Sequence, residues 1–191
     1  MRNFKQIHLE SLPSLTKLLQ EELGRNEEFW YADQSRQKKI KVQQNTQSIF
    51  LRGAVCESNA LSNKNEVQAS AETKYAKEFP ATMAALAAIA DLLKGELSRA
   101  LYTRLLPQSR VYRHIDEGSY YALRDRYHLV INSPGGSILI CEDEQLTLYE
   151  GQLWWFNNHL PHESMNCSTL WRTHLIFDLL PVHGPIGPVG V

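Results

Sequence analysis

Two histidines and an aspartate in the second half of the chain have the residue types and spacing of a metal site. His114 and Asp116 are separated by one residue, so in a β-strand both side chains project from the same face and can converge on one point. His162 follows forty-six residues after Asp116. Two imidazoles and one carboxylate form the facial triad that binds Fe(II) and leaves further coordination positions open. The alternative is an unrelated surface pair near a turn.

Three basic residues accompany these candidate ligands. Arg126 and His128 are again two apart and face the same side of a strand, and Arg172 lies ten residues after His162. Together they predict a cationic cavity that requires an acidic ligand, because an unpaired buried charge is costly. A dicarboxylate such as 2-oxoglutarate fits, since its 2-oxo acid end chelates iron and its far carboxylate pairs with a guanidinium. An ordinary explanation stays open as well, because Arg126 follows Asp125 and a strand histidine is often a core residue.

Two other parts of the chain are predicted to border the cavity. His174 shares a strand face with Arg172, so it lines the cavity or joins a charged cluster. Residues 31–75 are polar, with Gln, Asn, Ser and Lys throughout. This segment predicts loops with one or two strands, and it is a candidate lid over the substrate.

The elements that must position these residues are short strands. From residue 100 onward, Val, Ile, Tyr, Trp and Thr recur in short runs with turn residues every 8 to 12 positions, which is typical of a β-sandwich or barrel. The predicted strands are 100–106, 110–115, 126–132, 137–141, 145–149, 152–156, 162–166 and 170–179. Turns are predicted at 133–136 and 150–151.

Two helices are predicted ahead of the strands. Residues 11–24 carry leucines at a spacing of three and four, with Pro13 in the first turn and Gly24 at the end, as in an amphipathic helix. Residues 79–97 are rich in Ala and Leu, and Pro80 lies where the first turn of a helix tolerates it.

Composition indicates one globular domain of 191 residues, 43% of them hydrophobic and 21% charged. With 20 Lys+Arg against 21 Asp+Glu, no broad cationic surface favours nucleic acid or an anionic membrane as a partner. Cys56, Cys141 and Cys167 lack a CxxC spacing and are expected to be reduced thiols. Because no apolar stretch approaches a membrane span or a leader, a cytoplasmic location is expected. The Pro/Gly-rich tail, 181–190, predicts an extended arm.

Several short motifs occur in a set order along the β-rich part of the chain. They are Thr103 and Pro107, His114-x-Asp116, Arg126-x-His128-Leu129, Gly151-x-Leu153-x-x-Phe156, His162-Glu163, and Arg172 with Asp178 ahead of Pro181. In this order and spacing, the span from Pro107 to Pro181 resembles the aspartyl/asparaginyl β-hydroxylase family of Fe(II)/2-oxoglutarate dioxygenases. That family also includes hydroxylases of free amino acids.

The resemblance implies a fold and a set of roles. The fold would be mainly β, a double-stranded β-helix or cupin-like jelly roll with supporting N-terminal helices. One domain over 1–191 would comprise a lead-in, 1–99, and a catalytic β core, 100–181. The implied iron ligands, which are also the catalytic residues, are His114, Asp116 and His162. Arg172 would pair with one carboxylate of 2-oxoglutarate, Arg126 and His128 would assist at the other, and Thr103 would add a hydrogen bond.

The implied function is hydroxylation of an amino acid, either free or within a peptide or a carrier-bound intermediate. Fe(II), 2-oxoglutarate and O2 would be required. The expected partner is therefore an amino-acid or peptidyl substrate, with no nucleic acid and no membrane. Two alternatives remain: a non-catalytic cupin-like module that binds a metal or a dicarboxylate, and an oxygenase whose product is desaturated or cyclised.

Overall fold

The computed structural model describes residues 1–55, 63–135 and 137–182. Within these residues the α-helices are α1 Leu12–Gly24, α2 Ser35–Lys39, α3 Pro80–Leu92 and α4 Ser119–Ala122. The first strands are β1 Phe4–Ile7, β2 Thr46–Ala54 and β3 Ser70–Glu72. The remaining strands are β4 Gly95–Leu105, β5 Ser109–His114, β6 Asp125–Asn132, β7 Ser137–Cys141, β8 Glu144–Leu148, β9 Leu153–Phe156, β10 His162–Asn166 and β11 Arg172–Pro181.

The strands form two antiparallel sheets that face each other. The larger sheet has the order β1-β9-β6-β11-β4-β2-β3, and the smaller sheet has the order β5-β10-β7-β8. Along the chain, β4 to β11 pass back and forth between the two sheets, which is the winding of a jelly roll. The predicted β fold and each of its eight strand runs are confirmed.

The N-terminal helices cover the outer face of the larger sheet. The leucine face of α1, including Leu19 and Leu23, packs with Leu86 of α3 against Tyr102 and Phe177 of the sheet. Because the residues at the interface are all buried, these helices stabilise the sheet by removing apolar area from water.

A buried carboxylate joins the two long helices. Glu22 of α1 accepts hydrogen bonds from the backbone N–H groups of Ala81, at 2.7 Å, and Thr82, at 2.9 Å. These N–H groups lie in the first turn of α3, where they have no partner within the helix. The predicted supporting role of both helices therefore has a polar as well as an apolar component.

One predicted helix boundary needs correction, and one strand was not predicted. The second helix ends at Leu92 instead of residue 97, and the chain enters β4 at Gly95. Lys94 has φ 54°, which ends the helix, and a Cβ on Gly95 would lie 2.9 Å from Leu179 Cβ. In addition, β1 was not predicted; it pairs with β9, with Phe4 opposite Phe156.

The polar segment after α1 contains two strands, as predicted, and also short helices that were not predicted. Beside α2, β2 and β3, it contains 3-10 helices at Glu27–Tyr31, Lys41–Gln43 and Lys64–Glu66.

No helix among the described residues combines the length and the apolarity that a membrane crossing needs. The predicted tail beyond residue 182, Cys56 and one residue of the turn at 133–136 lie outside the described residues.

Candidate active site

The three predicted metal ligands meet at one end of the jelly roll. His114 is the last residue of β5, and His162 is the first residue of β10 and lies opposite it in the antiparallel register. The ligand atoms of His114, Asp116 and His162 all lie within 4.8 Å of one another. Asp116 Oδ1 is 4.0 Å from His114 Nε2, and its Oδ2 is 3.9 Å from His162 Nε2.

Backbone carbonyls orient both imidazoles. His114 Nδ1 is 2.7 Å from the carbonyl oxygen of Tyr112, and His162 Nδ1 is 2.9 Å from that of Leu160. Because a carbonyl only accepts, each Nδ1 carries the proton and each Nε2 keeps its lone pair. Burial lowers the pKa of His162 to about 4, so this imidazole is neutral at physiological pH. A neutral imidazole is the form that coordinates a metal.

An arginine positions the carboxylate of the triad. Arg126 donates from Nη1 to Asp116 Oδ2, and from Nε and Nη2 to the two oxygens of Asp178 at 2.8 and 3.0 Å. Burial alone would raise the pKa of Asp116, but the attraction of Arg126 and of the two histidines outweighs it and the pKa is lowered. Asp116 is therefore ionised.

These residues fit a transition-metal ion. The donors are two Nε2 lone pairs and one carboxylate on a single side of the cavity, a set that suits Fe(II) and leaves positions for other ligands. The carbonyl contacts at both Nδ1 atoms and the arginine on Asp116 are the kind of outer partners that metal ligands have.

A second group of basic residues lies deeper between the sheets. Arg172 is 3% exposed, and it donates to Ser164 Oγ at 2.8 Å and to His174 Nδ1 at 3.1 Å. Among the described residues, no carboxylate lies within 4.0 Å of its guanidinium group, and its Nε has no partner. Burial lowers the pKa of Arg172 to about 10, which still leaves it charged. Arg172 is a buried cation without an acidic partner.

Two buried histidines continue this group. His174 Nδ1 is 3.2 Å from His128 Nδ1, and the Nε2 atoms of both rings lack a partner in the described part of the chain. Burial, followed by the charge of Arg172, lowers the pKa of both histidines well below its usual range. Both imidazoles are therefore neutral, so Arg172 is the charged member of this group of three.

One cavity connects the two groups. Its walls include six of the seven predicted site residues, namely Thr103, His114, Arg126, His128, His162 and Arg172. The seventh, Asp116, contacts Arg126 at the edge of the cavity. The ring of Phe156 lies between the groups, with its centroid 4.9 Å from that of His128 and 5.0 Å from that of His162.

The structure also places residues in the cavity wall that sequence reasoning missed. Arg36, Gln43 and Thr46 line it from the polar segment that precedes and begins β2. The predicted lid pointed to this segment but to none of these side chains, because no motif marks them. His174 does not line the cavity; it lies behind Arg172, in the charged cluster that was its other predicted place.

Comparisons with known proteins agree with this architecture. A family model described as aspartyl/asparaginyl β-hydroxylase matches residues 15–181. A prolyl-4-hydroxylase from Pseudomonas putida is 15% identical with a TM-score of 0.57, and the match covers 95% of this chain and 94% of that one. A 2OG-Fe(II) oxygenase family oxidoreductase from Burkholderia pseudomallei is 11% identical with a TM-score of 0.53, over 73% and 69% of the two chains. No curated protein matches the sequence.

Proposed function

The chain belongs to the aspartyl/asparaginyl β-hydroxylase family and is an enzyme of the hydroxylase class, and on that premise we propose that it hydroxylates an amino acid with Fe(II), 2-oxoglutarate and O2. The amino acid would be free, or part of a peptide or a carrier-bound intermediate. One observation carries the proposal: the two histidines of the three-residue metal site line the same cavity as a buried arginine without an acidic partner among the described residues.

His114, Asp116 and His162 would hold the iron. Bound there with 2-oxoglutarate, the iron supplies the oxidising power that replaces a substrate C–H bond by C–OH, while 2-oxoglutarate and O2 yield succinate and CO2. Arg126 keeps Asp116 ionised and oriented through its own contact with Asp178.

Arg172 would bind the far carboxylate of 2-oxoglutarate. Its unpartnered Nε and its burial favour this role, because a charged hydrogen bond is strong where water is excluded. Ser164 and His174 fix the guanidinium plane. Thr103 lines the cavity wall, where its hydroxyl would add a hydrogen bond. The Nδ1 of His128 faces the accepting Nδ1 of His174 and so carries the proton of this neutral ring, which leaves Nε2 as an acceptor. The predicted assistance of His128 at a carboxylate stays a prediction.

Arg126 has a different environment from the one that sequence reasoning expected. Its guanidinium is engaged by two carboxylates, which favours a positioning role for Asp116. Its predicted contact with the second carboxylate of 2-oxoglutarate stays a prediction. The apolar part of the wall, including Leu139 and Ile176, would exclude water from the reacting groups.

The test is an anaerobic titration of the metal-free protein with Fe(II) and 2-oxoglutarate, followed by the visible charge-transfer band of the chelate. We expect the band in the wild type, its loss in His162→Ala, and a much higher 2-oxoglutarate requirement in Arg172→Ala. His159→Ala is the matched control, because His159 lies three residues before His162 and does not line the cavity.

Two outcomes would contradict the proposal. If the wild type forms no band, the residues do not assemble an iron and 2-oxoglutarate site. If the band forms but no substrate screen yields oxygen-dependent succinate, the alternative of a non-catalytic binding module replaces the proposal. Product analysis separates hydroxylation from desaturation or ring closure.

A further inference from the structure

Arg36 is a charged residue in the cavity wall that the proposed chemistry does not use. It lies on α2, its side chain is half-buried, and it lines the same cavity as the metal ligands and Arg172. Within the described part of the chain its side chain makes one hydrogen bond, which is long, 3.3 Å from Nη1 to Ser48 Oγ. Among the described residues, no carboxylate lies within 4.0 Å of its guanidinium. Arg36 is thus a second cavity cation without an acidic partner.

The other residues of α2 do not share this position. Lys38 and Lys39 are exposed, and no residue of the helix is buried. Only Arg36 among the residues of α2 lines the cavity. The helix therefore presents one guanidinium to the cavity and leaves its other charges in water.

The electric field of Arg36 reaches the metal site. Its charge contributes to lowering the pKa of both Asp116 and His128. Burial and the repulsion of Arg126 in turn lower the pKa of Arg36, while Asp116 and Asp178 oppose this effect. Independently of these shifts, Arg36 and the candidate ligands His114 and His162 line one cavity, so a molecule bound beside the metal could contact the guanidinium as well.

A charge balance of the loaded site leaves one charge on Arg36 uncompensated. The cavity arginines are Arg36, Arg126 and Arg172, and the acids that contact them are Asp116 and Asp178. With a divalent metal the positive charges number five. The two aspartates and doubly charged 2-oxoglutarate supply four negative charges. One further negative charge would balance the site, because an uncompensated charge in a largely buried cavity is unfavourable.

The one acid in the cavity wall is not available to supply that charge. Glu163 lines the cavity, but its Oε2 lies 4.0 Å from Arg110 Nη1. This acid already has a cation of its own on the neighbouring strand. The missing charge has to come from a bound molecule other than the metal and the co-substrate.

We propose that Arg36 binds a carboxylate of the substrate that is hydroxylated. This inference rests on the proposed function and narrows its substrate class to carboxylate-bearing amino acids. The carboxylate is either the α-carboxylate of a free or C-terminal amino acid, or an acidic side chain. A guanidinium pairs with a carboxylate through two parallel hydrogen bonds, which also fixes the orientation of the substrate.

The experiment compares carboxylates with isosteric carboxamides on the protein loaded anaerobically with Fe(II) and 2-oxoglutarate. One arm pairs each common amino acid with its α-carboxamide, and the other pairs Asp with Asn and Glu with Gln. The readout is the concentration that half-shifts the charge-transfer band. The variants are Arg36→Gln and Arg36→Lys, and the matched control is Lys38→Gln on the exposed side of the same helix.

In the wild type, we expect at least one carboxylate to bind about 10- to 100-fold more tightly than its carboxamide, the range for a hydrogen bond to a charged group. Arg36→Gln should lose this preference, Arg36→Lys should keep part of it, and Lys38→Gln should keep all of it. The 2-oxoglutarate titration itself should stay within about twofold of the wild type in all three variants, since Arg172 is intact.

Each of the other possible results would contradict the proposed function, this inference, or both. A wild type without the charge-transfer band overturns the proposed function together with this inference. A wild type that forms the band but prefers no carboxylate overturns the inference alone, as does an Arg36→Gln variant that keeps the preference. If Arg36→Gln instead raises the 2-oxoglutarate requirement, Arg36 serves the co-substrate and the inference is wrong.

Discussion

Replacing Arg172 by methionine should leave the stability of the ligand-free protein nearly unchanged and abolish its response to 2-oxoglutarate. The lowered pKa of Arg172, about 10, corresponds to a desolvation cost of about 3 kcal/mol for the charged form. Methionine removes this cost at similar volume but loses the hydrogen bonds to Ser164 and His174, which contribute about 1.5 kcal/mol each, the low end of the range for a charged donor. The two effects offset each other, so the free energy of unfolding should change by less than about 1 kcal/mol and Tm by less than roughly 2–4 °C for a chain of this size.

The assay is urea unfolding of the metal-free protein, repeated under anaerobic conditions with metal and 2-oxoglutarate. Saturation at about one hundred times Kd should add about 3 kcal/mol to the free energy of unfolding of the wild type and nothing to that of Arg172→Met. Arg124→Met is the matched control. Arg124 is also buried, but all three of its side-chain nitrogens donate to protein oxygens, on Gln68, Ser98 and Tyr120.

Arg124→Met should therefore destabilise the protein by about 2–4 kcal/mol, because it leaves buried acceptors unpaired. The reasoning is refuted if Arg172→Met costs as much stability as the control. It is also refuted if the variant still gains stability from 2-oxoglutarate, since a carboxylate site elsewhere would then be responsible.

Two further predictions follow from the buried charges. Arg126→Met should destabilise the protein by about 3–5 kcal/mol, because it leaves the buried Asp178 without a cation. Asp178→Leu should destabilise it by less, because Arg126 keeps its contact with Asp116. A double-mutant cycle should give a coupling of about 2 kcal/mol, and a coupling near zero would show that the pair is not formed. The free energy of unfolding should fall as the pH drops below about 6.5. In that range His128 and His174 take up protons in the unfolded chain, whereas the buried neutral rings of the folded protein do not. Each histidine should contribute up to about 1.4 kcal/mol per pH unit. Urea unfolding between pH 7 and 5 measures this pH dependence. In His174→Gln the slope should be smaller by the contribution of one histidine, up to about 1.4 kcal/mol per pH unit. An unchanged slope would contradict the burial of a neutral His174.

The candidate metal ligands and their β framework were predictable from short-range patterns. The spacing of two marked His114 and Asp116 as a chelating pair, although Asp116 lies just past the end of β5 and not on the strand face that the spacing predicts. Alternation with turn residues marks the eight strands of the jelly roll. The order of the motifs then brought His162 to the same site. Strand pairing brings the two histidines together, because His162 lies opposite His114 in the register of β10 and β5.

Features that depend on tertiary contacts were not predictable. Strand β1 is four residues long and exists through its pairing with β9. The helix α3 ends at Leu92 because Lys94 adopts a positive φ and Gly95 packs against Leu179, whereas the Ala- and Leu-rich pattern continues for several more residues. Arg36 lies on a helix of five residues with no buried face, so no periodicity could place it in the cavity.

The charge of the cavity shows why counting basic residues in a sequence is a poor measure of what a site binds. Arg126, His128 and Arg172 predicted an anion because each was taken as a potential cation. In the structure, Asp178 lies opposite Arg126 in the register of β11 and β6 and pairs with it, and burial keeps His128 neutral. The requirement for an anion therefore rests on Arg172, the one predicted residue of the three that keeps an unpaired charge, and on Arg36. A shift of that register by one residue would move Asp178 to the opposite face of its strand and leave Arg126 with Asp116 alone. The pairing of β6 with β11, more than the number of arginines, therefore determines which guanidinium is left for a bound carboxylate.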